Sequence, residues 1–196
     1  MPNRHLHDHA SEFLQAVAQR PKSEWVPLAE AMFAAAEFHG PQRRKGGQLY
    51  MVHPLEVAGI LSKNGADMST IIAGLLHDVL EDTGIPADEI KHRFGHDVLA
   101  MVEATSKNVV PDMNEVYERA LIDPRIADIK IADRAANLND GSALVLQKDR
   151  HLHKLQESET LHLNRFATIP GVNQGLVLVL RKALKNSWDD YNQRTD

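Results

Sequence analysis

Apolar residues recur at three- and four-residue intervals along most of this chain, the spacing of one buried helix face. Phe13, Leu14, Val17 and Ala18 set a first helix from Ala10, stopped by Pro21. A second is predicted from near Pro27 through Leu28, Ala31, Met32, Ala35 and Ala36 to His39, where Gly40-Pro41 breaks it. After the loop Gln42–Tyr50, Pro54 suits the first turn of a third helix, placing His53 at its entrance. That helix turns Val57, Ala58, Ile60 and Leu61 inward and ends at Asn64-Gly65. Residues 68–82 form a fourth, with Ile71, Ile72, Leu75, Leu76 and Val79 inside and Thr83-Gly84-Ile85-Pro86 ending it.

A short helix over Pro86–Arg93 follows, and another from Gly95 to Ser106 carries Val98, Leu99 and Val102. Between Pro111 and Pro124 a polar helix has Tyr117 and Leu121 on one face, and Ile126–Leu138 is a strong helix. A mostly polar helical region, Ser142–Ala167, precedes Pro170-Gly171 and a last helix over Val172–Trp188. Leu176–Leu180 alone would also suit a strand, but the Arg-Lys-Ala-Leu continuation favours a helix. With no alternating Val/Ile runs and no Asn-Gly hairpin turns, the fold class is all-α.

A length of 196 residues supports one core, so a single domain over 1–196 is expected, with 1–9 as a loose arm whose His5, His7 and His9 are solvated. Net charge of -5 argues against a nucleic-acid partner, while leaving room for a local basic patch to hold a phosphorylated ligand. Oligomeric state has no signature. The absence of cysteine excludes disulfides, thiol nucleophiles and thiolate-bound zinc. No apolar run approaches the ~20 residues that cross a bilayer, and the first residues are polar, so a cytoplasmic location without membrane contact is expected.

Gly74–Asp82 changes this picture, because it sets His77, Asp78, Glu81 and Asp82 among Leu75, Leu76, Val79 and Leu80. Carboxylates buried beside so much apolar surface need a cation or several donors to compensate them. His53 and Asp133 supply two more candidates, and two imidazoles with two carboxylates make a nitrogen/oxygen site suited to Mn(II) or Fe(II), with Mg(II) or hydrolytic zinc also open. Glu81 and Asp82, one turn further on, are placed to take a proton, orient a water or protonate a leaving group. Lys130, Asp133 and Asn137 share a helix face, and Gln42–Tyr50 holds the concentrated basic run Arg43-Arg44-Lys45. His92, His96, His151, His153 and His162 are expected at the surface.

The order of these elements resembles the HD phosphohydrolase superfamily, which implies an HD-domain helical bundle. Longer stretches narrow the likeness: His39-Gly40, Gln42-x-Arg44-Lys45, Tyr50-x-x-His53-Pro54-Leu55-x-Val57-Ala58, Leu75-Leu76-His77-Asp78-x-Leu80-Glu81-Asp82-Thr83 and Lys130-x-Ala132-Asp133-Arg134-x-x-Asn137. They are similar to the (p)ppGpp hydrolase domain of the RelA/SpoT family, and a chain of this size looks like a small alarmone hydrolase. The segment between Ser106 and Ile126 contributes no matching position. The resemblance implies Mn2+-dependent removal of the 3′-pyrophosphate of ppGpp or pppGpp. It implies His53, His77, Asp78 and Asp133 as metal ligands, Glu81 and Asp82 as the catalytic acidic pair, and Arg44, Lys45, Tyr50, Lys130 and Asn137 as substrate contacts. Tyr50 is expected to stack on a base. Hydrolysis of another phosphorylated nucleotide, and alarmone binding without turnover, are the alternative readings.

Overall fold

A computed structural model describes residues 6–44, 46–139 and 148–193, and its described residues are helical apart from turns and loops. The helices are α1 (Leu6–Ala18), α2 (Lys22–His39), α3 (Val52–Lys63), α4 (Met68–Leu76), α5 (Val79–Asp82), α6 (Ala87–Thr105), α7 (Met113–Ile122), α8 (Pro124–Asn139), α9 (Lys148–Glu157) and α10 (Gln174–Gln193). A π-helical turn, Ser158–Leu163, and a 3-10 turn, Phe166–Thr168, link α9 to α10. One antiparallel bridge, Arg43 to Leu49, closes the loop before α3. The all-α expectation holds.

α8 is the central helix, packed by α3, α6, α7 and α10, while α3 also meets α1 and α4. Ile126, Ile129, Ile131, Ala132, Ala135 and Ala136 are buried on α8, so its small residues let neighbours close in from several sides. α4 is buried from Thr70 to Leu76. Gly74 lets α3 come close there, since a Cβ would meet Leu61 Cδ1 and force that side chain to shift.

Several boundaries depart from the sequence expectations. α2 starts at Lys22, not near Pro27, so Pro27 lies inside it and forfeits the bond to Ser23's carbonyl. The first turns are held from outside, by Arg20 donating to Glu24 and to Ala66's carbonyl, and by the Trp25 indole donating to Arg20's carbonyl. Residues 68–82 are two helices, broken at His77-Asp78. The cause is local: His77 Nδ1 lies 2.9 Å from the Gly74 carbonyl, the acceptor that a continuing helix would offer to Asp78 N–H. Gly95, at φ 87°, divides α6 into the two expected segments. On α7 the buried side is Val116 and Ala120, and Leu121 is exposed. Tyr117 is partly covered by the Arg165 guanidinium, 4.2 Å over its ring.

Residues 6–9 belong to α1 and not to a loose arm, with His7 exposed and His9 buried, while His5 lies outside the described residues. His92, His96 and His153 are exposed as expected, whereas His151 and His162 are buried. His151 Nε2 pairs with Ser187 Oγ at 2.9 Å, and its face of α9 continues through Leu155. His162 packs on Phe166, and burial, with Arg134 and Lys130 nearby, pushes its pKa down to about 3.

Asp128 supplies a pH test of this packing. Its carboxylate accepts from Asn173 N–H at 2.9 Å, tying α8 to the start of α10. Burial pushes its pKa up to about 6, partly offset by that bond and aided by Asp67 and Asp123. A folded pKa above the unfolded one favours folding while the group is protonated, so this contribution is present below about pH 4 and lost as pH rises through 6. Asp128→Asn keeps the acceptor and removes the charge. It is expected to raise stability at pH 8 by up to about 3 kcal/mol, at about 1.4 kcal/mol per pKa unit. Urea denaturation at pH 4 and pH 8 checks this, the gain disappearing at the lower pH.

Candidate metal centre

Three segments far apart in sequence meet at the end of the bundle where α3 begins and α4 ends. His53 lies in the first turn of α3, His77 follows α4, Asp78 precedes α5, and Asp133 projects from α8. His53 Nε2 is 3.1 Å from Asp133 Oδ1 and 3.6 Å from Asp78 Oδ2. His77 Nε2 is 3.1 Å from Asp78 Oδ2 and 3.7 Å from Asp133 Oδ1. The two imidazoles are buried and meet edge to face at 5.1 Å. Ligating atoms of His53, His77 and Asp133 all lie within 4.8 Å of one another.

The donor set fits a divalent cation. A carbonyl can only accept, so the Gly74 bond puts the His77 proton on Nδ1 and leaves an Nε2 lone pair facing two carboxylates. That Nε2 is fully buried with no hydrogen-bond partner. A lone pair aimed at anionic oxygens is repulsive unless a cation or a proton stands between them. The proton's hold is correspondingly strong: burial lowers the His77 pKa, but Asp78 and Asp133 outweigh it and raise it to about 10. Burial likewise disfavours the two carboxylate charges, yet the facing imidazoles keep both aspartates well below the usual range, with Lys130 adding to the effect at Asp133.

Surrounding contacts orient the converging side chains. Tyr50 O–H donates to Asp78 Oδ2 at 2.7 Å, Asn137 Nδ2 donates to Asp133 Oδ1 at 2.6 Å, and the buried Lys130 Nζ lies 3.8 Å from Asp133 Oδ2. Arg44 Nη2 donates to Asn137 Oδ1 at 2.8 Å, so the basic loop reaches the centre through one amide. Tyr50 stacks on His39 at 4.6 Å, which takes one face of the ring expected to meet a base. Burial, with Asp78 and Asp82 facing the phenol, keeps Tyr50 protonated far above its ordinary range.

Glu81 is held apart from the four converging residues. Its Oε2 accepts from Lys107 N–H and its Oε1 from Lys107 Nζ, both at 3.1 Å. Asp82 is exposed at the end of α5. Lys45 lies outside the described residues. Sequence reasoning missed Lys107 and the support role of His39, whose Nδ1 pairs with Gln42 Oε1 at 2.9 Å. His39 and Gln42 were visible as motif positions without a role, whereas a lone lysine after Ser106 carries no pattern at all.

Known proteins resemble this chain. The chain is 43% identical over 128 residues to a guanosine-3′,5′-bis(diphosphate) 3′-pyrophosphohydrolase of Aquifex aeolicus, a match covering 59% of this chain and 18% of that one. It is 32% identical over 150 residues to a GTP pyrophosphokinase of Streptomyces coelicolor, covering 70% and 18%. The chain thus spans about a fifth of the length of the curated relatives it matches. Among solved structures it resembles one described as a metazoan ortholog of SpoT that hydrolyzes ppGpp and plays a role in starvation responses. That match has a TM-score of 0.67 and 25% identity, and covers 85% of this chain and 97% of the other. Residues 31–161, which contain all four converging side chains, match the HD domain, and the chain belongs to that family.

Proposed function

We propose that the chain hydrolyses the 3′-pyrophosphate of guanosine alarmones, releasing pyrophosphate and GDP or GTP. The observation that carries this reading is the convergence of His53, His77, Asp78 and Asp133, with Arg44 joined to the same centre through Asn137. The pyrophosphohydrolase named in Aquifex and the metazoan ppGpp hydrolase supply the substrate class. The pyrophosphokinase name belongs to a relative of which this chain covers 18%.

His53, His77, Asp78 and Asp133 would hold one divalent ion, Mn2+ as the family resemblance implies, and the ion would polarise the phosphoryl group and acidify a water. In the reaction, a water oxygen bonds to the phosphorus carried on O3′, the P–O3′ bond breaks, and O3′ gains a proton. Glu81, with Asp82 beside it, is the group placed to hold a proton in transit. Arg44 and Lys45 grip phosphate, the arginine as a planar fork and the lysine as a mobile charge. Lys130 and Asn137 line the same side. Tyr50 fixes Asp78 through its hydroxyl, and stacking on a base would have to use the part of the ring that His39 and His53 leave uncovered.

Protein reconstituted with Mn2+ is expected to convert ppGpp to GDP and pyrophosphate, resolved by anion-exchange chromatography. No GDP above a metal-free control would sink the proposal. The His39 stack on Tyr50 favours a second reading, hydrolysis of another phosphorylated nucleotide, because base selection then rests on fewer groups. A nucleotide panel in which ppGpp ranks among the poorest substrates would select it.

A further inference from the structure

We propose that Lys107 is a positioning residue that fixes the carboxylate of Glu81 toward the reacting phosphate; the proposal rests on the hydrolase reading above. α5 is a four-residue helix after the helical break at His77-Asp78, and its backbone bonds do not hold the Glu81 carboxylate. The loop after α6 does so instead. Lys107 engages both Glu81 oxygens, one from the main chain and one from the ammonium group. Asn108 Nδ2 reaches the Glu81 carbonyl at 3.1 Å, so the loop clamps the end of α5 by both side chain and backbone.

The clamp stands on fixed ground. Val109 and Val110 N–H both return to the Ser106 carbonyl, at 3.1 and 2.8 Å, and Ser106 and Val110 are buried. Lys107 is therefore held between two anchored residues, while its side chain stays 67% exposed and can exchange partners. Partial burial opposes its charge, but Glu81, with Asp78 and Asp133 beyond it, keeps the ammonium protonated. One rigid donor and one mobile donor suit a carboxylate that must return to the same orientation after each turnover. The alternative is that Lys107 meets substrate phosphate directly.

Steady-state kinetics on ppGpp with Lys107→Met, Lys107→Arg, Glu81→Gln and the Lys107→Met/Glu81→Gln double variant distinguish the two, with metal content and melting curves measured on each. Lys107→Met is expected to lower kcat by about tenfold with KM changed by less than about threefold, Lys107→Arg to recover most of the loss, and metal content to stay at the wild-type level. The double variant should be no slower than Glu81→Gln, since a residue acting through Glu81 has nothing left to position. Lys107→Gln takes the place of the methionine variant if that one unfolds, with the same expectation. A raised KM at unchanged kcat, or losses that multiply in the double variant, would overturn the proposal while wild-type turnover kept the hydrolase reading intact. A wild type that turns over no ppGpp would overturn both.

Discussion

Asp133→Ala is expected to empty the metal centre and to lower ppGpp hydrolysis by about a thousandfold or more, the equivalent of about 4 kcal/mol of lost transition-state stabilisation. Asp133 Oδ1 is the oxygen that faces His53 at 3.1 Å and His77 at 3.7 Å, so its loss removes the contact shared by both imidazoles. It also strands the buried Lys130 ammonium and the Asn137 amide, which both lean on the same carboxylate. An unpaired buried charge destabilises by about 3–5 kcal/mol, so melting curves must accompany the metal analysis. Asp133→Asn, which keeps an acceptor for Asn137, separates loss of ligand charge from loss of fold. Full metal occupancy in Asp133→Ala would refute its assignment as a ligand.

Glu81→Gln is expected to do the opposite on one axis: metal content unchanged, kcat down by about 10²- to 10⁴-fold, the usual range for losing a proton-handling group. The amide oxygen can still accept from Lys107 N–H, so the loop clamp survives while the capacity to take a proton does not. The Glu81 carboxylate is engaged by Lys107, and Glu81 N–H donates to the Asp78 carbonyl at 3.1 Å, a main-chain bond that the substitution leaves in place, which is why metal retention is expected. Wild-type kcat in the metal-loaded variant would remove Glu81 from the chemistry.

The four converging residues were legible in the sequence because metal chemistry restricts residue type more than position. Two histidines and two aspartates on helical stretches, without any cysteine, already limited what could bind there. α3, α8 and the Gly95 division of α6 were legible because proline, glycine and apolar spacing act over a few residues. The break at His77-Asp78 was not legible, since it depends on an imidazole competing for a carbonyl rather than on helix propensity. His151 and His162 were misplaced for a related reason. α9 and the π turn are so polar that their buried face offers little apolar contrast, and a histidine with a partner across the core looks the same as one in water. Leu121 failed in the other direction, as α7 rotates to bury the smaller Val116 and Ala120. The Lys107 to Glu81 contact spans 26 residues and the whole of α6, beyond the reach of any local pattern.

The meeting of α3, the α4–α5 break and α8 at one point has a consequence for the stability of the whole chain. Residues 53, 77, 78 and 133 converge only in the native fold, so a cation bound there selects the folded state over the unfolded one. At a free concentration of 100 times its Kd the stabilisation is about 2.7 kcal/mol. Melting temperature therefore becomes a measure of ion preference that needs no substrate: titrating Mn2+, Fe2+, Mg2+ and Zn2+ against the chelated protein would rank them by thermal shift. The same linkage makes metal supply a determinant of how much folded protein persists.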